Sequence, residues 1–330
     1  METDHIRAVV VTQNGGPEVL EVQSLAVPKL GPAQLLVEVE ASGVNFIDVY
    51  KRQGVYPVPT PFVLGGECAG RVLAAGSEVS EFAVGDVVAT AAGDGTHATL
   101  AVVDAQQAVP VPSGVSAELA AAAMLQGMTA HYLLNSAYQV TAGVQVLVHA
   151  AAGGVGRLLV QMAKAKGAYV IGTVGSADKE QVASTAGADA VIRYDRIDGS
   201  DELAAAVREA SEGGVNVVYD GVGKSTFDAS LASLRPRGLL ALFGGASGQV
   251  PPFDLQRLNS GGSLFVTRPT LAHYVATREE LLGRASDVLG GIADGTLRIA
   301  IGGRYPFEQA GEAYRDLEAR RTTGKLIMVP

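Results

Sequence analysis

The stretch Val144-Gln145-Val146-Leu147-Val148-His149-Ala150-Ala151-Ala152-Gly153-Gly154-Val155-Gly156-Arg157 decides how this chain folds. Val146-Leu147-Val148 is a short apolar run of the kind a buried strand needs. The chain then turns through Gly153-Gly154-Val155-Gly156 into residues 157–166, which read as helix. Gly167 stops that helix, because glycine accepts the left-handed conformation at a helix end. A second apolar run at 168–172 leads into Thr173-Val174-Gly175-Ser176. Strand, glycine turn, helix and strand thus follow one another within about 30 residues. Such a unit sets backbone N–H groups and a helix N-terminus against a dinucleotide pyrophosphate. Glycine at the turn removes the Cβ that would stand between backbone and phosphate. The window 151–156 departs from G-x-G-x-x-G at its first position, where Ala151 stands. Glycine-rich turns also close purely structural corners, so the flanking strands and helix carry the reading together with the glycines.

Composition narrows the class. A chain of 330 residues exceeds one small core, and two domains are expected. It is 48% hydrophobic and 18% charged, which suits fully buried elements, and its 41 glycines suit many tight turns. A net charge of −9, with no Lys/Arg run, argues against a nucleic-acid partner. Cys68 is the single cysteine, which excludes an intrachain disulfide and a Cys-rich zinc site. No apolar run reaches the ~18 residues of a membrane span, and no signal-like region follows Met1. The expectation is a soluble, cytoplasmic protein with no membrane partner.

Before the glycine unit the chain reads as β-rich. Short apolar runs at 8–11, 35–40, 63–72 and 84–89 are punctuated by Pro28, Pro32, Pro57, Pro59 and Pro61, the pattern of a small irregular barrel. Ser116 can cap a helix over 117–125, an interruption is expected at 126–129, and a second helix over 130–137. From 144 to 267, strands at 146–148, 168–172, 190–192, 215–219, 238–243 and 263–266 alternate with helices at 157–166, 179–186, 203–212 and 226–234. Alternation predicts a parallel sheet covered on both faces, with ligands beyond the C-terminal strand ends. Helices return at 279–292 and 307–320, and the strand at 325–329 is expected to rejoin the first domain. The expected division sets 1–124 with 269–330 against 125–268.

Several segments together resemble the medium-chain dehydrogenase/reductase superfamily, and within it the zinc-independent, ζ-crystallin-like NADPH:quinone oxidoreductases. They are Asn14-Gly15-Gly16-Pro17-Glu18-Val19-Leu20, Gly43-Val44-Asn45-Phe46-Ile47-Asp48-Val49-Tyr50, Gly65-Gly66-Glu67-Cys68-Ala69-Gly70, residues 149–156, and Val266-Thr267-Arg268-Pro269. The resemblance covers nearly the whole chain. It implies an α/β fold with a GroES-like β-rich catalytic domain, a Rossmann-type doubly wound parallel sheet, and NADPH in the cleft between them. Zinc members of the superfamily carry Cys where this chain has Asn45 and His where it has Gly66, leaving Glu67 alone of that ligand pattern. A catalytic zinc needs three protein ligands, so chemistry without a metal is expected.

A quinone gains negative charge on oxygen as it is reduced, and needs donors and protons nearby. The resemblance puts Asn45, Tyr50 and Tyr56 beside the nicotinamide, where an amide and two phenols can donate. It also implies cofactor contacts at Asn45, Tyr132, Gly154, Val155, Lys179, Tyr194, Phe243, Gly244, Phe265, Val266, Thr267, Arg268 and Arg320. The glycine turn adds Gly153 and Gly156. Many relatives have Ser where this chain has Gly221. The second strand ends in Thr173-Val174-Gly175-Ser176 with no acid to accept from a ribose 2′-OH, so Gly175, Ser176, Lys179 and Tyr194 are expected to receive a 2′-phosphate. Against that stands the reading of Lys179 as an ordinary solvated lysine beside Asp178 and Glu180. Cys68 is read as a small buried hydrophobe in a glycine-rich turn, His131 and His149 as packing or capping residues, and Asp48 as a turn or helix-start residue. Residues 263–266 form an apolar last strand, and the resemblance implies that two such edges pair in a homodimer. The substrate expected is a small quinone. An enoyl or alkenal reductase acting on a conjugated carbonyl, and a crystallin-like NADPH-binding protein with little turnover, are the alternatives.

Overall fold

The apolar runs at 146–148, 170–171 and 217–219 are fully buried in the structure, a computed structural model that describes residues 5–320 and 322–330. The chain separates into two units, one running through Gln126 and resuming at Val275–Pro330, the other Gly127–Tyr274.

The first unit begins with β1 (His5–Val11), β2 (Leu20–Ala26), β3 (Gln34–Gly43), α1 (Phe46–Arg52), β4 (Phe62–Val63), β5 (Cys68–Ala75), β6 (Val87–Thr90), β7 (Leu100–Asp104) and β8 (Val109–Pro110). The division between the units falls within α2 (Ala117–Tyr132). The second unit follows with β9 (Gln145–Val148), α3 (Gly154–Ala165), β10 (Tyr169–Val174), α4 (Ala177–Thr185), β11 (Ala190–Arg193), α5 (Gly199–Ala210), β12 (Val215–Asp220), α6 (Phe227–Ala232), β13 (Leu234–Leu242), α7 (Gln256–Ser260) and β14 (Phe265–Thr267). The chain closes with α8 (Arg278–Ala293), β15 (Ile301–Pro306), α9 (Ala310–Glu318) and β16 (Lys325–Val329).

The first unit is largely antiparallel. β1 lies between β2 and β4, and β3 pairs with both β5 and β7. Alternate residues Leu35, Val37 and Val39 of β3 turn inward and meet Cys68, Val72, Phe82, Val88 and Val103. The terminal strand β16 pairs antiparallel with β3, Ile327 opposite Gly43 and Met328 opposite Ser42.

The second unit is a parallel sheet in the order β11-β10-β9-β12-β13-β14. The chain winds outward from β9 in both directions, so the glycine turn after β9 sits where the strand order reverses, the position at which doubly wound sheets bind ligands. Helix α3 lays Leu158, Leu159, Val160 and Ala163 into the core. It can lie so close because residue 156 is glycine: a Cβ there would stand 2.3 Å from Ala150 O.

One expected break is absent. Helix α2 runs unbroken through Gly127 and Met128, where an interruption at 126–129 was expected, and a π-helical turn, Leu133–Ala137, continues it. A mid-helix glycine costs about 1 kcal/mol relative to alanine. The burial of residues 120–124, Met128 and Ala130 outweighs that. No helix among the described residues is long and apolar enough to cross a membrane.

Candidate active site

Asn45 is the hinge between β3 and α1. It has extended backbone, caps α1, and forms a capping box with Asp48, whose Oδ2 accepts the Asn45 N–H at 2.9 Å. Its side chain is satisfied on every side. Nδ2 donates to Glu67 Oε2 at 2.8 Å and to Gly43 O at 3.2 Å, while Oδ1 accepts from Lys325 Nζ at 2.6 Å. Glu67 is fully buried; its Oε2 also accepts from Lys325 at 2.6 Å and its Oε1 accepts the Leu125 N–H at 2.6 Å. Gly43 makes room for this carboxylate, since a Cβ there would lie 2.0 Å from Glu67 Oε2. The expectation that the Asn45 amide donates outward therefore meets two N–H groups already bonded inside the protein, the longer bond being the one to Gly43.

Tyr50 lies one turn along α1, and Tyr56 in the loop beyond it. Their rings meet edge to face at 5.5 Å, with Phe46 6.4 Å from Tyr50. Tyr56 is 43% exposed. Asp48, expected as a turn or helix-start residue, is the third residue of α1 and belongs to a second buried network. Tyr314 OH donates to Asp48 Oδ2 at 2.9 Å, His97 Nε2 meets Tyr314 OH at 2.8 Å, and Ser42 Oγ meets His97 Nδ1 at 2.7 Å. Burial raises the Asp48 carboxyl to about 6 against the hydrogen bond from Tyr314, and lowers His97 to about 3. Cys68 behaves as the small buried hydrophobe expected, its thiol pushed up to about 12 by burial and by the Glu67 charge. Among the described residues, no group of three or more His, Cys, Asp or Glu side chains could hold a metal ion.

In the second unit the sequence-derived positions gather at the C-terminal strand ends. After β9 the chain passes through Ala150 with a left-handed φ of 52°, closes a turn by Gly153 N–H to Ala150 O at 2.8 Å, and enters α3 with Gly153 as its cap. Gly154, Val155 and Gly156 form the first turn of that helix. After β10, Ser176 caps α4 and accepts the Lys179 N–H at 3.4 Å. Tyr194 follows β11 and lays its ring over Gly175, where a Cβ would stand 2.6 Å from the phenol oxygen. After β13, Phe243 covers Gly221, where a Cβ would lie 2.8 Å from the ring, and a Cβ at Gly244 would strike Gly221 O at 2.4 Å. The space that a serine at position 221 would need is filled by this ring. Phe265, Val266 and Thr267 form β14, with Phe265 60% exposed, and Arg268 donates to Leu242 O at 3.0 Å.

Two sequence-derived positions lie elsewhere. Tyr132 is buried near the end of α2 and stacked on Tyr274 at 4.3 Å. Arg320 follows α9 in the first unit, with a left-handed φ of 54°. His149 is a packing residue. Ser230 donates to Asp220 at 2.8 Å, so His149 Nε2–H donates to Ser230 Oγ at 3.0 Å and Nδ1 accepts from Thr173 at 2.8 Å. Ser230 thereby gives its proton to the Asp220 carboxylate and accepts from His149, so His149 does not act as its base. The Lys325–Glu67 pair and the Asp48–Tyr314–His97 chain are the groupings that sequence reasoning missed. A lysine opening the apolar run 325–329 was the available signal.

Two family models match the chain: the alcohol dehydrogenase GroES-like domain over residues 31–113, and zinc-binding dehydrogenase over residues 154–280. A quinone oxidoreductase of Pseudomonas aeruginosa is 45% identical over 96% of this chain and 97% of its own. The solved Escherichia coli quinone oxidoreductase complexed with NADPH superposes with a TM-score of 0.95 at 41% identity, covering 98% of this chain and 100% of its own. A 2-haloacrylate reductase of a Burkholderia species is 36% identical over 98% of this chain and 99% of its own. With such identity across almost its full length, the chain belongs to the quinone oxidoreductase family of the medium-chain dehydrogenases/reductases.

Proposed function

We propose that the protein is an NADPH-dependent quinone reductase, and that NADPH binds along the C-terminal strand ends of the second unit. The observation that carries the cofactor reading is the end of β10. Gly175, Ser176, the first turn of α4 with Lys179, and Tyr194 converge there, and no acid stands among Thr173, Val174, Gly175 and Ser176. A carboxylate at that place would repel a 2′-phosphate, whereas an ammonium and a helix N-terminus attract one. The corner at Gly153 opens the N-terminus of α3, which attracts a pyrophosphate, and Gly156 lets that helix pack against Ala150 O, 2.3 Å from where a Cβ would stand. Phe243, Gly244, Phe265, Val266 and Thr267 extend the same row, and Tyr132 and Arg320 complete the proposed set. The E. coli relative solved with NADPH supports this reading.

The bound cofactor supplies the hydride; the residues of this chain place the acceptor and meet its developing charge. We assign Asn45, Tyr50 and Tyr56 to that task, the phenols donating directly and Asn45 through the N–H that it holds most loosely, at 3.2 Å from Gly43 O. The similarity to a 2-haloacrylate reductase favours a second reading, hydride addition to a conjugated carbonyl. Steady-state rates with 1,4-benzoquinone, 9,10-phenanthrenequinone, 2-chloroacrylate and a crotonyl thioester, each with NADPH, test both. Turnover confined to the quinones supports the first reading, and turnover confined to the acrylate or thioester overturns it. We further propose a homodimer paired through β14 and a cytoplasmic location, where NADPH is held.

A further inference from the structure

We infer that Lys325 is a positioning residue for the reaction, orienting and polarising the Asn45 amide through their direct hydrogen bond. The inference rests on the assignment of Asn45 to the electron acceptor.

The Lys325 and Glu67 side chains are 1% and 0% exposed, and their charged atoms lie 2.6 Å apart. Burying two charges costs more than packing two apolar side chains of similar volume, so stability alone gives little reason for this pair. Its geometry gives a better one. Both Lys325 Nζ and Glu67 Oε2 bond to the Asn45 amide, the ammonium at Oδ1 and the carboxylate at Nδ2. A flipped amide would set Oδ1 against a carboxylate and Nδ2 against an ammonium, two repulsions in a buried site. One orientation is therefore fixed, and each Nδ2–H direction with it.

Polarisation follows from the same contact. A cation on the amide oxygen draws electron density from the nitrogen and makes the N–H groups stronger donors. Asn45 is then a better partner for an oxygen that becomes negative than an asparagine in water would be. The surroundings hold the clamp still. Glu67 Oε1 is tied to the Leu125 N–H, Thr96 Oγ1 donates to Glu67 O at 3.1 Å, and only glycine fits at residue 43. The pairing of β16 with β3 at Ile327 and Met328 carries Lys325 to this place from 280 residues away in sequence. Asn45 also caps α1, so the clamp fixes the start of the helix that bears Tyr50.

Lys325→Met alone leaves Glu67 buried and unpaired and is expected to unfold the chain. The decisive variant is Lys325→Met with Glu67→Gln, which removes both charges and keeps both shapes. Two measurements are made: NADPH-driven reduction of 9,10-phenanthrenequinone, and the side-chain amide signals of protein labelled with ¹⁵N-asparagine. The chain has five asparagines, and Asn45→Ser assigns the signal of Asn45. The double variant is expected to bind NADPH as the wild type does. Its kcat should fall about tenfold or more, the scale of a charge-assisted hydrogen bond. Its Asn45 signal should shift and lose protection from solvent exchange. Lys325→Arg, which keeps the charge, should retain more kcat than the double variant. In the Asn45→Ala background neither change should lower kcat further. A double variant with wild-type kcat, or a further loss of kcat in the Asn45→Ala background, overturns the inference. If the wild type reduces neither quinones nor conjugated carbonyls, the functional reading fails instead, while the amide signal still reports whether Lys325 holds Asn45.

Discussion

His97 and Asp48 are joined through a single phenol. Tyr314 OH donates its one proton to Asp48 Oδ2 at 2.9 Å, so at 2.8 Å it accepts from His97 Nε2–H. His97 Nδ1 must then accept from Ser42 at 2.7 Å, and the row of hydrogen bonds runs one way with His97 neutral. Both residues are fully buried, and Lys325 adds positive charge near each.

These two groups oppose one another in acid. His97 takes a proton near 6.5 when unfolded but only near 3 when folded, so the unfolded state binds more protons as pH falls through that window, and stability is lost. Asp48 works the other way. Its folded value near 6 lies above the ordinary 3.8, so between them the folded state binds more protons and acid stabilises. From about pH 6 to 4 the two effects largely cancel. His97→Gln removes one of them. At pH 7 it should destabilise through the altered network, and that deficit should shrink by about 2 kcal/mol at pH 5. Urea unfolding of both proteins at the two pH values checks this, and a deficit that does not change with pH contradicts it.

Gly221→Ser tests the packing of Phe243. The new Cβ would lie 2.8 Å from the ring, so Phe243 must move. A loss of about 1–3 kcal/mol is expected from overpacking, together with weaker NADPH binding. Phe243→Ala by itself should also cost stability, but the double variant should cost less stability than the sum of the two. Additive losses would mean that the ring does not occupy the space of residue 221.

The alternation of strands and helices in the second unit, and the parallel sheet it builds, was legible because continuous apolar runs and glycine corners are local signals. The strands β2 and β15 were not. β2 has several exposed positions at the side of a small sheet, and β15 opens Ile301-Gly302-Gly303, with two glycines in its first half. Local propensity at 126–129 predicts a break in α2 because it gives no hint of the burial that sustains the helix. In the site, Asn45 was legible from its motif, but its partners were not. Lys325 and Tyr314 lie more than 200 residues from what they bond, and only the pairing of β16 with β3 and the packing of α9 bring them near. That Glu67 and Gly43 also engage the Asn45 amide was not legible, because Glu67 lies 22 residues away and meets it only in the folded chain.

The edge of the second sheet makes its own prediction. β14 is the last strand, and the 60% exposure of Phe265 leaves a large apolar ring on that edge. Charges on an edge strand block pairing with another edge. Phe265→Lys should convert a dimer to a folded monomer in sedimentation at micromolar concentration. A wild type that is already monomeric, or a variant that stays dimeric, would remove β14 from the interface.

Lys179 should decide the choice between NADPH and NADH. It lies in the first turn of α4, behind the cap made by Ser176, and Tyr194 stands over Gly175 at the end of the neighbouring strand. The nearby guanidinium of Arg193 is held by Asp195 at 2.7 Å. A charge-assisted contact between a lysine and a 2′-phosphate is worth ~1.5–3 kcal/mol. Lys179→Ala should therefore raise the KM for NADPH about tenfold or more, and barely change that for NADH. Gly175→Ala should act similarly by a different route, because its Cβ would push the Tyr194 hydroxyl from its place at 2.6 Å. Both variants should keep the wild-type kcat at saturating NADPH, since neither touches the acceptor. Equal losses with both cofactors would show that Lys179 serves the fold of α4 rather than the phosphate, and a wild type that prefers NADH would refute the reading of the β10 terminus altogether.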